Sequence, residues 1–218
     1  MSPLDDTEGE ERRARGQRRD PAWRRRRTSR KSDLERLFVA LYPPESVSRE
    51  LVYAAGDLPL PPHRVVPAGQ VHLTLAFLGN RRRSELEAIA ESVERAAAGQ
   101  RAFELTLEHW RYLPEDSPAR VLVAETDAPS GLLELQRRLS SRLLGQGGSG
   151  RAFRPHLTVA RLKNAREPLD MAPLPALVLS SFRVERIELL RSVLRPEGAE
   201  HIGLKRVSLQ NGAGEALD

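Results

Sequence analysis

His72-Leu73-Thr74-Leu75-Ala76-Phe77-Leu78 has a near copy further along the chain, His156-Leu157-Thr158-Val159-Ala160-Arg161-Leu162, with five of the seven positions identical. Side chains alternate between the two faces of a strand. As a strand, the first copy puts His72, Thr74 and Ala76 on one face and Leu73, Leu75 and Phe77 on the other, so Phe77 is expected in the core. The second copy puts His156 and Thr158 opposite Leu157 and Val159. Each copy thus buries an apolar face and presents an imidazole beside a hydroxyl.

That layout suits chemistry at a phosphate. A neutral imidazole takes a proton and an imidazolium gives one near neutral pH. A threonine hydroxyl donates a hydrogen bond to a phosphoryl oxygen. Two such pairs facing each other would set a base on one side of a phosphorus and an acid on the other. A single H-x-T is too short to carry this reading. What carries it is the near-identical second copy in a chain with only five histidines.

The two H-x-T motifs resemble those of the 2H phosphoesterase superfamily. The words around them, Arg36-Leu37-Phe38-Val39-Ala40, Val71 to Gly79 and Arg154-Pro155-His156-Leu157-Thr158, are similar to its RNA 2′,3′-cyclic phosphodiesterase branch, also called 2′-5′ RNA ligase. The resemblance runs from about Leu34 to about Leu209. It implies an α+β fold of two similar lobes, each an antiparallel sheet backed by helices, with the motifs facing each other across a central cleft. It implies His72 and His156 as catalytic residues, with Thr74 and Thr158 on the phosphate. It implies metal-free opening of 2′,3′-cyclic phosphate ends of RNA or nucleotides to 2′-phosphates, without cofactor. Run in reverse, the same chemistry joins RNA ends through a 2′-5′ bond without ATP. Family members often have arginine three residues after the second threonine, where Arg161 stands. Strict alternation would turn Arg161 away from His156 unless the strand ends or twists there. Many relatives carry tyrosine before an L-K-R-like segment. Here His201 precedes Ile202-Gly203-Leu204-Lys205-Arg206, and no role carries over to it.

Composition bounds the alternatives. The 218 residues, 39% of them hydrophobic, suit one sizeable globular domain. No apolar run reaches the roughly 18 residues of a membrane span, and no apolar signal segment opens the chain. The expected location is therefore the cytoplasm. Cysteine is absent, which removes disulfides, thiolate metal sites and thiol nucleophiles. The net charge of +5 is uneven: residues 1–11 carry five acids and no base, and residues 12–31 carry eleven bases and one acid. The whole excess therefore lies in the first 31 residues, and the remainder is neutral. Residues 1–33 have no apolar periodicity and read as a disordered arginine-rich extension, either an RNA-tethering arm or a solvated leader.

The coarse order of elements is a strand at Leu34–Tyr42, a helix from Glu45 to about Ala55, and a proline-rich loop over 57–69 holding a solvated His63. The first motif strand comes next, with a turn at Gly79-Asn80. Ser84 then caps a helix to about Ala98 with Glu87 closing a capping box. Phe103–Leu107 alternates as a strand, with His109 and Trp110 as a packing pair at a sheet edge. Val121–Thr126 is a strand, and Asp127–Leu144 holds a helix with Leu132, Leu133, Leu135, Leu139 and Leu143 as its buried side. Gly145–Gly150 is a mobile linker; it lacks the phosphate-loop pattern. After the second motif a polar loop starts at Lys163. Strands are then expected at Leu177–Arg183, Arg186–Val193 and Ile202–Leu209, before a loose tail over 211–218. The catalytic domain spans 34–210. Nothing in the chain sets an oligomeric state, and a monomer is compatible with it. The rival readings are another 2H branch acting on other cyclic phosphates or on 2′-5′ oligoadenylate, and a non-catalytic RNA-binding protein. A metallophosphoesterase is disfavoured because no H-E-x-x-H or carboxylate-histidine cluster accompanies the motifs.

Overall fold

The computed structural model describes residues 33–145, 152–166, 173–177, 181–195 and 198–211. The expectations for the arginine-rich extension, most of the glycine-serine stretch and the tail fall outside them. Leu34–Asp218 is one compact unit by its internal contacts.

The described residues form nine strands and three α-helices: β1 (Leu34–Leu41), α1 (Glu45–Gly56), β2 (His63–Val65), β3 (Leu73–Arg82), α2 (Leu86–Ala97), β4 (Phe103–Leu113), β5 (Ala119–Thr126), α3 (Ser130–Leu143), β6 (His156–Arg166), β7 (Ser181–Val184), β8 (Arg186–Arg195) and β9 (Gly198–Ser208). The strands form one sheet in the order β7-β4-β5-β6-β3-β1-β8-β9, with β2 added to β6. The named pairings are antiparallel, as the α+β reading requires. The sheet has two halves, β7-β4-β5-β6 and β3-β1-β8-β9. They join at a single pair, Leu73 opposite Leu157, which are the second residues of the two motifs.

Helices tie the halves together. α1 follows β1 yet touches β6, and α3 follows β5 yet packs on β3 and α2. In α3, Leu132, Leu135 and Leu139 are fully buried, one per turn. Each such leucine contributes roughly 1.5–3 kcal/mol by leaving water. Leu133 is 44% exposed, contrary to the expected stripe, because it lies a residue off that face. No helix among the described residues is long and apolar enough to cross a membrane.

Several boundaries differ from the sequence reading. β3 runs on past Gly79-Asn80 to Arg82, because Leu34–Leu37 of β1 pair with Arg82–Gly79. Gly79, at φ 69°, turns the chain inside the strand without ending it. The helix cap sits elsewhere too: Glu85 Oε2 accepts the Arg82 N–H at 2.7 Å, and a short 3₁₀ turn, Arg83–Glu85, leads into α2. β4 continues through His109 and Trp110 to Leu113 with β5 beside it, so the pair is not at an edge, and Trp110 is core. Residues 63–65 of the proline-rich loop form β2 on β6.

Candidate active site

The Leu73–Leu157 pair positions everything around it. Both leucines are fully buried on the core side. Their sequence neighbours therefore project from the opposite face. Counting antiparallel from that pair sets His72 beside Thr158 and Thr74 beside His156. All four side chains line one cavity of about 110 Å³. The structure thus brings together two histidines and two threonines from motifs far apart in the chain.

A bulge in each motif then changes the alternation. Across from β1, Ala40 pairs with Thr74 and Val39 with Ala76, leaving Leu75 as an extra residue. Across from β5, Val123 pairs with Thr158 and Leu122 with Ala160, leaving Val159 extra at the same motif position. An extra residue inverts the parity of every later position in its strand. Leu75 and Ala76 are therefore both buried, as are Val159 and Ala160. Arg161 returns to the face of His156 and lines the same cavity. Phe77, expected in the core, is 50% exposed for the same reason. Arg36 lies over its ring, 4.8 Å from the centroid.

Both histidines are oriented by the same device. His72 Nδ1 is 2.7 Å from the Gln70 carbonyl oxygen, and His156 Nδ1 is 2.7 Å from that of Arg154. A carbonyl only accepts, so each Nδ1 carries a proton and donates it, leaving Nε2 for the cavity. Their surroundings differ. Burial pulls the His72 pKa down to about 4; the Gln70 carbonyl opposes this, and His201, Arg161 and His156 add repulsion. His72 is therefore neutral at neutral pH, with a free lone pair on Nε2. Burial also lowers Arg161, and Arg64 across the β2–β6 pairing lowers it further. No carboxylate among the described residues pairs with Arg161. The cavity thus combines a surplus of positive charge with hydroxyl donors.

A family profile described as the 2′-5′ RNA ligase superfamily matches residues 43–195. A Thermus thermophilus protein named RNA 2′,3′-cyclic phosphodiesterase is 34% identical over 194 residues, covering 82% of this chain and 92% of its own. The chain belongs to the 2′-5′ RNA ligase superfamily. An Escherichia coli protein of the same name as the Thermus one is 32% identical over 152 residues, covering 65% of this chain and 79% of its own. Escherichia coli LigT, solved in complex with 3′-AMP, superposes with a TM-score of 0.69 at 29% identity, covering 81% of this chain and 98% of that one.

Within this superfamily fold, three residues around the site had no role assigned from the sequence. Arg64 sat in an apparent loop; its pairing with Arg161 through β2 brings it to the cavity. Its guanidinium lies against Gly198, where an added Cβ would collide with Nη1. His201 lies within β9 and packs edge-on against His72 and Phe38, at centroid distances of 4.9 Å each. Burial and Arg161 lower its pKa. Phe38 also packs against His72, at 5.2 Å, so the three rings form a mutual cluster. Nothing local in the sequence marks Arg64, whereas Phe38 and His201 stand in or beside the stretches that carry the resemblance. His63, by contrast, is half-buried in β2, with Nδ1 2.9 Å from the Pro61 carbonyl oxygen, and takes no part in the cavity. A larger cavity of about 450 Å³ adjoins the first, shares His72, Thr74 and Arg161 with it, and extends to Phe77, Arg36 and Leu194. Among the described residues no group of three or more His, Asp or Glu is placed to hold a metal ion.

Proposed function

We propose that this chain is an RNA 2′,3′-cyclic phosphodiesterase that opens cyclic phosphate ends to 2′-phosphates by two-histidine acid-base catalysis. The observation that carries the proposal is the pair of identically oriented His-Thr units around one small cavity that also holds Arg161. His72 is the base. Its neutral imidazole takes a proton from water at Nε2 as the water oxygen bonds to phosphorus. His156 is the acid, giving its Nε2 proton to the ribose 3′ oxygen as the P–O3′ bond breaks. Thr74, Thr158 and Arg161 hold the non-bridging oxygens, whose negative charge grows in the transition state. Every proton in this step is moved by the two imidazoles, so no metal or cofactor is required.

The small cavity takes the phosphate, and the adjoining one, whose volume lies in the range of nucleotide-sized ligands, takes the nucleoside. The Phe77 ring with Arg36 over it offers a base a stacking surface that is indifferent to sequence. Run in reverse, with a 5′-hydroxyl in place of water, the same groups join RNA ends through a 2′-5′ bond. With RNA as substrate class, the proposal includes a cytoplasmic location. The test is incubation with a 2′,3′-cyclic mononucleotide, cyclic-ended RNA and 2′-5′ oligoadenylate, with and without a chelator, before phosphorus NMR of the products. Chelator-resistant formation of 2′-phosphates is expected. Cleavage of the oligoadenylate alone, or activity that returns only with an added divalent ion, would overturn the proposal.

A further inference from the structure

The two orienting carbonyls are held by different means. Gln70 ends a 3₁₀ turn, and its own N–H donates to the Pro67 carbonyl at 2.7 Å. Hydrogen bonds of the local backbone therefore place the carbonyl that orients His72. Arg154 precedes β6 and lies in no such turn. Its backbone is tied by one neighbouring bond, from the Thr126 N–H to the Pro155 carbonyl at 3.2 Å. Its side chain is anchored far more heavily.

Glu125 stands directly across from His156 on β6 and directly across from His109 on β4. It is 5% exposed. Arg154 Nε lies 2.5 Å from its Oε1, an ion contact without hydrogen-bond alignment. Its Oε2 accepts from Arg111 Nε at 2.7 Å and lies 2.6 Å from His109 Nε2. The remaining Arg154 nitrogens donate to Glu115, at 3.0 and 3.2 Å. Glu115 also takes Arg111, closing a ring of two carboxylates and two guanidiniums. A carboxylate this buried holds its partners at fixed positions, because leaving any of them unpaired is costly. None of these groups is used in the acid-base step.

We propose that Glu125 and Arg154 are positioning residues for His156: the ion cluster fixes the Arg154 backbone, whose carbonyl holds the imidazole in the Nδ1–H tautomer with Nε2 toward the phosphate. The inference rests on His156 being the acid of the reaction. Misplacing a reacting group by a fraction of its bond reach lowers turnover more than it lowers binding.

The experiment uses the full chain and three variants, Glu125→Gln, Arg154→Met and Arg154→Lys. Two measurements are made: steady-state turnover of a 2′,3′-cyclic mononucleotide, and long-range proton–nitrogen NMR of the histidine rings. Glu125→Gln and Arg154→Met should lower kcat on the order of tenfold with KM unchanged within a factor of about two. Arg154→Lys, which keeps the charge on Glu125, should recover part of the loss. The NMR spectrum should show His156 gaining the Nε2–H tautomer in the first two variants while His72 keeps its own. Folded variants with parental kcat and an unchanged His156 tautomer would overturn the inference. So would a kcat loss that tracks a lowered melting temperature with the tautomer unchanged. The tautomer shift is read without substrate, so it stands or falls separately from the assigned reaction; that assignment fails instead if His156→Ala retains parental turnover.

Discussion

At the scale of single residues, the proposed division of labour between the two motif histidines follows their surroundings. The two motif histidines have the same ring-nitrogen bond to a carbonyl two residues back, yet His72 is held neutral by its buried setting against Phe38, Tyr42 and His201. This difference sets the sign of the pH dependence. A base works only when deprotonated, so protonation of His72 should lower the rate as pH drops toward about 4. Because the two groups share one transition state, the apparent values belong to the pair. His72→Ala and His156→Ala should each lower kcat by about 10²–10⁴, and the double variant by much less than the product. Thr74→Ala and Thr158→Ala should cost less, each removing one hydroxyl donor. Turnover of a cyclic mononucleotide by folded variants, checked by circular dichroism, decides it. A folded variant lacking either histidine with near-parental turnover would sink the mechanism.

At the scale of elements, the decisive feature is a pair of bulges that strand periodicity does not show. The alternation rule placed His72 with Thr74 and His156 with Thr158 correctly, because both pairs precede the extra residue. It failed for Phe77 and Arg161, because both come after it. A bulge is a property of two strands, set by what the partner strand aligns, and one strand read alone carries no sign of it. The same reason hid β2 and the continuation of β3 past Gly79, which depend on pairing with β6 and β1. The motif pair, the fold class and most helices were legible because they rest on local periodicity and on one internal repeat. Deleting Val159 separates the bulge from the residue it redirects. The deletion leaves Thr158 and Arg161 two positions apart, which strict alternation puts on one face. It should therefore lose less activity than Arg161→Ala, which removes a charge from the proposed phosphate site at a cost of about 10²-fold. It should lose stability through the missing buried side chain, by roughly 1.5–3 kcal/mol. Denaturant titration and cyclic-nucleotide turnover of both variants compare the two. A folded deletion as inactive as Arg161→Ala would mean that the twist of the bulge itself aims the guanidinium, and that parity alone does not.

At the scale of the whole molecule, charge and chemistry are segregated. The compact unit from Leu34 onward carries the motifs. Residues 32–218 sum to no net charge, and the entire excess of +5 is in the first 31 residues. Within the compact unit, arginines are numerous but mostly tied to acids: Arg83 and Arg191 to Glu35, Arg206 to Glu188, Arg195 to Glu200. Cations held this way release few counterions when RNA binds, since a carboxylate already neutralises them. On the proposed function, Arg161 acts on one phosphate and the arginine-rich first 31 residues act on the RNA strand at large. The two contributions should therefore separate on truncation. A chain beginning at Ser32 should turn over a cyclic mononucleotide at the parental rate, because no group of the reaction cavity is lost. Its affinity for cyclic-ended RNA should fall, and the slope of log affinity against log salt should become shallower, by about 0.7 for each single-strand phosphate contact removed. Fluorescence anisotropy over a salt series, run beside the mononucleotide assay, measures both at once. Parental slope with weakened binding would place the RNA contacts elsewhere on the molecule. A folded truncation that no longer turns over the mononucleotide would show that the leader takes part in the chemistry, and charge and catalysis would then not be segregated.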